Sequence, residues 1–215
     1  MGTSTENGKR MKVVPLVLLP SLLVGLSCSD SILDPDPVGT TRPPGQLNII
    51  RLPANAPPLF NDSVAFYAKV GRDTEAFIYF KKPNGERGEK LVELKIKQRS
   101  LLTRPDGTPF GPNDSIRIVM WIRDPRVVMV DMEPAGLRFS STEPAELKIE
   151  YEATGGDLDD DGDDDGDDKK IEQVIAIWRQ ESATEPFVKV GTIKTEGLRE
   201  LKANLLGFTR FAIAY

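Results

Sequence analysis

Leu147-Lys148-Ile149-Glu150-Tyr151-Glu152-Ala153 sets an apolar side chain at every odd position and a charged one at every even position. Successive strand residues point to opposite faces, so this stretch reads as a half-buried β-strand with one wet face. The same period runs outward from it. Upstream lie Val64/Phe66/Ala68/Val70, Ala76/Ile78/Phe80, Val92/Leu94/Ile96, Ile116/Ile118/Met120/Ile122 and Val128/Val130/Met132. Downstream lie Val174/Ala176/Trp178, Val188/Val190, Leu201/Ala203/Leu205 and Phe211/Ile213/Tyr215. Turn formers separate the rows, among them Gly71, Pro83-Asn84-Gly85 and Pro105-Asp106-Gly107. No window carries an amphipathic helix of about twelve residues, and Glu196 to Leu206 alternates about as well as it turns. Roughly ten strands joined by short turns predict an all-β chain, a single antiparallel β-sandwich over residues 47–215. A division near Pro134 is the alternative partition.

Composition narrows the chemistry. The 215 residues include no histidine and one cysteine, Cys28. A Ser-His-Asp triad, a Cys-His pair, an imidazole metal ligand and an intrachain disulfide are therefore all excluded. With 39% hydrophobic and 28% charged residues the chain can bury a core.

The N-terminal segment has the features of an export signal. Lys9, Arg10 and Lys12 precede an apolar run, Val13 to Leu26, that ends at Ser27-Cys28. The run is about 14 residues and contains Pro15 and Pro20, whereas a bilayer-spanning helix takes roughly 20. Leu26-Ser27-Cys28 resembles the lipobox of bacterial lipoproteins, in which the signal peptide is cut before a lipidated cysteine. The family prefers Leu, Val or Ile three residues before the cysteine, where this chain has Gly25. The resemblance implies a signal peptide over 1–27, lipidation of Cys28, a membrane as partner through the anchor, and residence in the bacterial cell envelope, on the outer membrane or cell surface rather than the inner membrane. Residues 28–46, with Pro35, Pro37, Pro43 and Pro44, show no helix or strand period and read as a flexible tether. Asp30, Asp34 and Asp36 resemble the Asp-rich export signals of some surface lipoproteins.

The most extreme local feature is an acidic loop, residues 157–168, with nine aspartates and two glycines. The chain holds 33 Asp and Glu; less these nine, 24 acids remain against 28 Lys and Arg, so the net charge of −5 belongs to this loop. Asp157, Asp159, Asp161 and Gly162 match the opening of a calcium loop with Asp168 at its twelfth position. A second register, Asp161, Asp163, Asp165, Gly166 and Glu172, matches D-x-D-x-D-G-x₅-E. Calcium wants several hard oxygens on a loop turned by glycine. An EF-hand also needs flanking helices and an apolar eighth residue. Here both flanks, Leu147 to Ala153 and Val174 to Trp178, read as strands, and the eighth residue is Asp164 or Asp168. The loop instead resembles a single Asp-rich calcium repeat of thrombospondin-like and dockerin-like surface proteins. The alternative is a solvated loop whose charge keeps the domain soluble.

Several stretches together resemble the ZU-type β-sandwich domain of ankyrins, tight-junction scaffolds, netrin receptors and bacterial surface lipoproteins. They are Leu91 to Ile96, Ser100-Leu101, the Gly107 and Pro109 turn, Ser115 to Ile118, Met132-Glu133-Pro134-Ala135-Gly136-Leu137-Arg138-Phe139 and Pro144 to Ile149. Phe208-Thr209-Arg210-Phe211-Ala212-Ile213 is similar to the final strand of many bacterial secreted β domains. The family's Pro-Gly-Ala turn is replaced by Lys97-Gln98-Arg99-Ser100. The resemblance implies an interaction module without catalytic residues.

Weaker features are weighed against packing. Asn61-Asp62-Ser63 and Asn113-Asp114-Ser115 fit the glycosylation pattern, and turn chemistry explains them as well. Trp121 and Trp178 could stack on a sugar or fill a core. Lys and Arg are scattered along outward faces without a patch, which argues against nucleic acid. The expected function is a membrane-anchored surface or periplasmic lipoprotein acting as a non-catalytic binding or structural module, calcium-stabilised, with a protein or glycan partner. The alternatives are a carbohydrate-binding module and a metal-dependent hydrolase using the Asp-rich loop. Against the hydrolase, catalytic metals want ligands on rigid elements.

Overall fold

The computed structural model describes residues 1–3, 37–195 and 197–215. The chain divides into a unit ending at Ser31 and a compact unit, Ile32–Tyr215. The basic head, the apolar run, Cys28 and the first part of the tether fall on residues 4–36, outside the described residues. In chain order the strands are β1 (Thr41–Arg42), β2 (Ser63–Lys69), β3 (Thr74–Lys81), β4 (Arg87–Ile96), β5 (Leu101–Thr103), β6 (Ser115–Trp121), β7 (Met129–Glu133) and β8 (Arg138–Phe139). They continue with β9 (Ala145–Glu150), β10 (Ala176–Gln180), β11 (Phe187–Lys189), β12 (Thr192–Thr195), β13 (Glu200–Leu205) and β14 (Arg210–Ala214). Among the described residues one α-helix, α1 (Gly166–Val174), lies between β9 and β10, and short 3₁₀ turns occur at Pro44–Gln46 and Glu152–Thr154.

The alternating stretch at Leu147 becomes the centre of a sheet. β9 pairs antiparallel with β4 and with β13, so Val92 meets Ile149 and Leu94 meets Leu147 on the inner face. On the outer face Glu93 meets Lys148 and Lys95 meets Glu146. Glu146 also bridges Lys202 at 2.7 Å and pairs with Lys97, while Lys148 reaches Glu200 at 3.5 Å. Such partly exposed pairs are worth about 0.2–1 kcal/mol each. Their larger effect is on register: a one-residue slip would bury the charges and expose the apolar row.

Two sheets close over that row. A five-stranded sheet in the order β12-β13-β9-β4-β3 faces a seven-stranded sheet in the order β1-β11-β10-β14-β7-β6-β2. One core receives Ile78, Leu94, Leu147, Ile149 and Leu201 from the first and Ile118, Met120, Val130, Ile177, Phe211 and Ile213 from the second. This is an all-β antiparallel sandwich. β5 and β8 form a two-stranded ribbon beside it. Gly207 lets that ribbon close, because a Cβ there would sit 3.0 Å from the Leu137 carbonyl oxygen. Phe139 and Phe208 then meet edge to face at 4.8 Å.

Four of the fourteen strands, β1, β5, β8 and β12, have no counterpart in the sequence periodicity, since two to four residues are too few to show a period. Two expectations are corrected. The tether is not free throughout: Gly39 donates to Lys189, Lys189 donates to Thr40, and Thr41 and Arg42 pair with β11. Residues 47 and onward are thus not the start of the packed chain. Val188 and Val190 were expected inward, yet Phe187 and Lys189 are the buried residues of β11. The reason is a second small core on the outer face of the seven-stranded sheet, where Leu47 covers Trp178, Phe187, Ala212 and Ala214. The Leu201, Ala203 and Leu205 row, by contrast, stands as strand β13.

The edge of β3 is covered by the backbone of residues 58–60, which bridges Leu59 to Phe80, and beyond it by a side chain. Asn61 donates to the Phe77 carbonyl at 3.1 Å and accepts from the Tyr79 amide at 3.1 Å, copying a neighbouring strand. Its amide nitrogen is therefore engaged, which favours turn and edge chemistry over glycosylation at this position. Unpaired edges template association. We expect Asn61→Ala to lower the urea-measured stability by about 1–3 kcal/mol and to raise aggregation, as two backbone groups lose their partners; unchanged stability would show that the plug carries no free energy.

Candidate metal centre in the acidic loop

The acidic loop leaves the core at Tyr151 and returns to it at Ile171. Between them Leu158, the one apolar residue of the loop, is 4% exposed and packs into the main core. The loop is thus anchored in its second residue. Gly156 makes room for it: at φ +110°, a Cβ would meet the Asp164 carboxylate at 2.2 Å.

Asp157 turns the first half of the loop. Its carboxylate accepts the amides of Asp160 at 2.7 Å, Asp161 at 3.2 Å and Gly162 at 3.0 Å. Gly162 has φ 107°, where only glycine is unstrained. The second half is a helix start. Asp165 caps α1 by accepting from the Asp167 amide at 2.7 Å, and Asp168 reaches back to the Asp165 amide at 2.8 Å, forming a capping box. The other Asp168 oxygen accepts the Leu158 amide at 2.6 Å. Asp168 therefore ties the loop's entrance to its exit.

This corrects the reading of the flanks. The entering flank is strand β9, as expected, but the exiting flank is helix α1, and Val174 belongs to its last turn. The signal was present as Asp165-x-x-Asp168, a capping pattern within the acidic run. The C-terminal end of α1 is held by Lys194, whose ammonium donates to the Glu172 carbonyl at 2.6 Å.

The six aspartates singled out by spacing gather in two trios. Asp157, Asp159 and Asp161 each bring a carboxylate oxygen within 4.8 Å of the others, and so do Asp163, Asp165 and Asp168. Asp168 sits with the second trio rather than completing the first. Glu172, the last ligand of the second register, joins neither trio. It accepts from the buried Tyr151 hydroxyl at 3.3 Å and lies 3.4 Å from Lys194. Burial and the Glu172 carboxylate together push the Tyr151 phenol up. Residues that the sequence did not mark also shape the loop. Arg199, in the turn before β13, places its guanidinium 3.8 Å from Asp164 and 3.7 Å from Glu152. Asp164 holds the place of an apolar eighth residue, and Arg199 answers its charge.

The electrostatics of the loop are divided. Partial loss of solvent around an exposed side chain, then the charges of Asp161 and Asp168, raise the Asp159 carboxyl above its ordinary range. Asp161, foremost, and Asp165 do the same to Asp163. Burial also acts to raise Asp168, but the amides of Asp165 and Leu158 outweigh it and hold that carboxyl below its ordinary range. Oxygen donors that repel one another on a glycine-turned loop fit a hard cation such as Ca²⁺, which would lower all of them together.

The tryptophans separate. Trp178 is 1% exposed and donates its indole N–H to the Ala214 carbonyl at 3.1 Å, so it offers no stacking surface. Trp121 is partly exposed at the end of β6, with the Arg123 guanidinium 5.6 Å from its ring centroid. No protein-family model, curated protein or solved structure matches the chain.

Asp168 gives a test that needs no metal. Its depressed carboxyl contributes stability in full above the ordinary aspartate range, and this is lost as pH falls through the depressed value. Asp159 and Asp163 work in the opposite sense, because protonation relieves their repulsion. We expect Asp168→Ala to cost about 1–2 kcal/mol at neutral pH and to flatten the loss of stability down to about pH 3. Parallel profiles for variant and parent would show that the cap is not what acid removes.

Proposed function

We propose that this chain is a membrane-anchored bacterial envelope lipoprotein whose β-sandwich is a non-catalytic binding or structural module stabilised by calcium. The observation that carries the calcium part is the joint geometry of residues 157–168. A glycine at the sixth position has positive φ, three amides turn onto the first aspartate, and a capped helix begins where the loop ends. The residues that would hold an ion are the two trios, Asp157, Asp159 and Asp161, and Asp163, Asp165 and Asp168. A bound Ca²⁺ supplies charge neutralisation and order, with no reaction.

The module reading has two supports. A chain without histidine lacks the commonest general base, and its densest carboxylates lie on a loop rather than on strands. The stretches that resemble the ZU-type domain also come together, as Leu101 of β5 pairs with Phe139 of β8. The anchor rests on Cys28 and the apolar run before it.

Extracellular calcium sites bind at about 10⁻⁴–10⁻³ M, so about 10 mM Ca²⁺ would add roughly 1.4–2.7 kcal/mol. For a domain of this size that is a rise in Tm of about 3–10 °C, reversed by chelator. An equal rise with Mg²⁺, or none with either ion, would refute the site. For the anchor, Cys28→Ser should move the protein from the membrane fraction to the soluble fraction of a bacterial host. Retention of the variant on membranes after a high-salt wash would refute lipidation as the tether.

A further inference from the structure

One end of the sandwich opens into a cleft of about 1000 Å³, apart from the acidic loop trios. That is the upper range for small-molecule sites, and in folds of this kind binding residues gather on the loops at the sandwich ends. The walls are apolar and stiff: Ala56, Pro57 and Pro58 on one side, Ala153 and Leu198 on the other. Leu198 is 62% exposed, a large aliphatic side chain left uncovered at the rim.

The charges around the cleft are unusual in their arrangement. Lys81 and Lys82, at and just past the end of β3, and Glu89 and Glu150, on β4 and β9, all line it. On the remaining outer face of the five-stranded sheet, opposite charges pair across strands. Lys90 and Glu152 line the cleft too and are paired, with Glu93 and Arg199, but none of the other four makes an ion pair among the described residues. Glu150 is the most informative. Burial, then the Glu200 and Glu89 carboxylates, raise its carboxyl, and Lys90 and Lys148 oppose them only in part. Lys90 is drawn to Glu93 at 2.7 Å and lies 4.7 Å from the Phe77 ring centroid, and Lys148 is turned to Glu200 at 3.5 Å. Glu150 thus faces a partly apolar space with no direct ion pair, its nearest ammonium groups turned to other carboxylates, and an under-compensated carboxylate in such a place favours a cation.

We propose that this cleft binds a small zwitterion with an apolar middle, of the class of ω-amino acids and short peptides with free termini. The ammonium group pairs with Glu150, the aliphatic body lies on the Pro57–Pro58 and Leu198 walls, and the carboxylate meets Lys82 at the opposite rim. The site adds a ligand to the module and does not depend on calcium.

The test is calorimetric titration of the full chain at neutral pH with 8-aminooctanoate and Ala-Leu-Ala, against octylamine, octanoate and octanol. At least one of the two zwitterions should bind, about tenfold more tightly than any of the three controls; which of them binds tells a free amino acid from a peptide. Glu150→Gln and Lys82→Gln should each weaken that binding about tenfold. Lys82 lies in an exposed turn, so its variant stays informative if Glu150→Gln fails to fold. Equal binding of zwitterion and octanol, no binding of either zwitterion, or wild-type affinity in the Lys82 variant would overturn the proposal. The calcium-dependent melting shift is unaffected by any of these outcomes.

Discussion

Asp168 is the most deeply buried carboxylate among the described residues, at 2% exposure, and the acidic loop depends on it. A buried carboxylate is costly unless it is well supplied with donors. Asp168 takes the Leu158 amide with one oxygen and the Asp165 amide with the other. Those contacts hold the loop's first buried residue against the first turn of α1. Leu158 and Ile171 then fix the loop to the same core that joins the two sheets. Nine carboxylates that would otherwise repel one another into solvent are thus held near a rigid scaffold. A cation meeting them finds part of the ordering already done, and pre-organisation of this kind raises affinity.

The sandwich divides labour between its faces and its ends. The outer face of the five-stranded sheet is a lattice of paired lysines and glutamates that sets register. The outer face of the seven-stranded sheet is partly covered by the segment around Leu47, which buries Trp178. Asp131, 8% exposed, receives Arg123 at 2.7 Å and Arg210 at 2.8 Å, so its burial is compensated on both oxygens. What remains without a cationic partner lies toward the ends: Asp157, Asp159, Asp161 and Asp163 of the acidic loop among the described residues, and the unpaired charges of the cleft. Both are carried on connections and strand ends, where a rigid framework leaves side chains free to meet a ligand.

The legible parts of the fold were those where one face is wet. Leu147 to Tyr151 and Val92 to Ile96 announce themselves because their outward residues are charged, and the core assigned to them is the core observed. Legibility failed where both faces are covered. In β11, coverage by the N-terminal segment made Phe187 and Lys189 the buried pair, and nothing near Val188 and Val190 encodes a partner more than a hundred residues away in the chain. Short ladders such as β5 and β8 arise from tertiary contact alone. At the site, the aspartate spacing marked the loop and Gly162 marked its turn. The helix that follows was missed, although Asp165 and Asp168 form a readable capping pair. Arg199 was out of reach: its bond to Asp164 joins two loops that only the sheet order of β9 and β13 brings together.

On this reading the acidic loop is folded before calcium arrives and takes the ion up on its aspartate trios. A calcium titration of the ¹⁵N-labelled chain, followed by its amide resonances, separates a folded receptor from a merely solvated acidic loop. We expect saturation at no more than one ion per trio, with the largest shifts at Asp160, Gly162 and Leu158 and with α1 present before any ion is added. Shifts that never saturate, or an α1 that forms only with calcium, would contradict this reading.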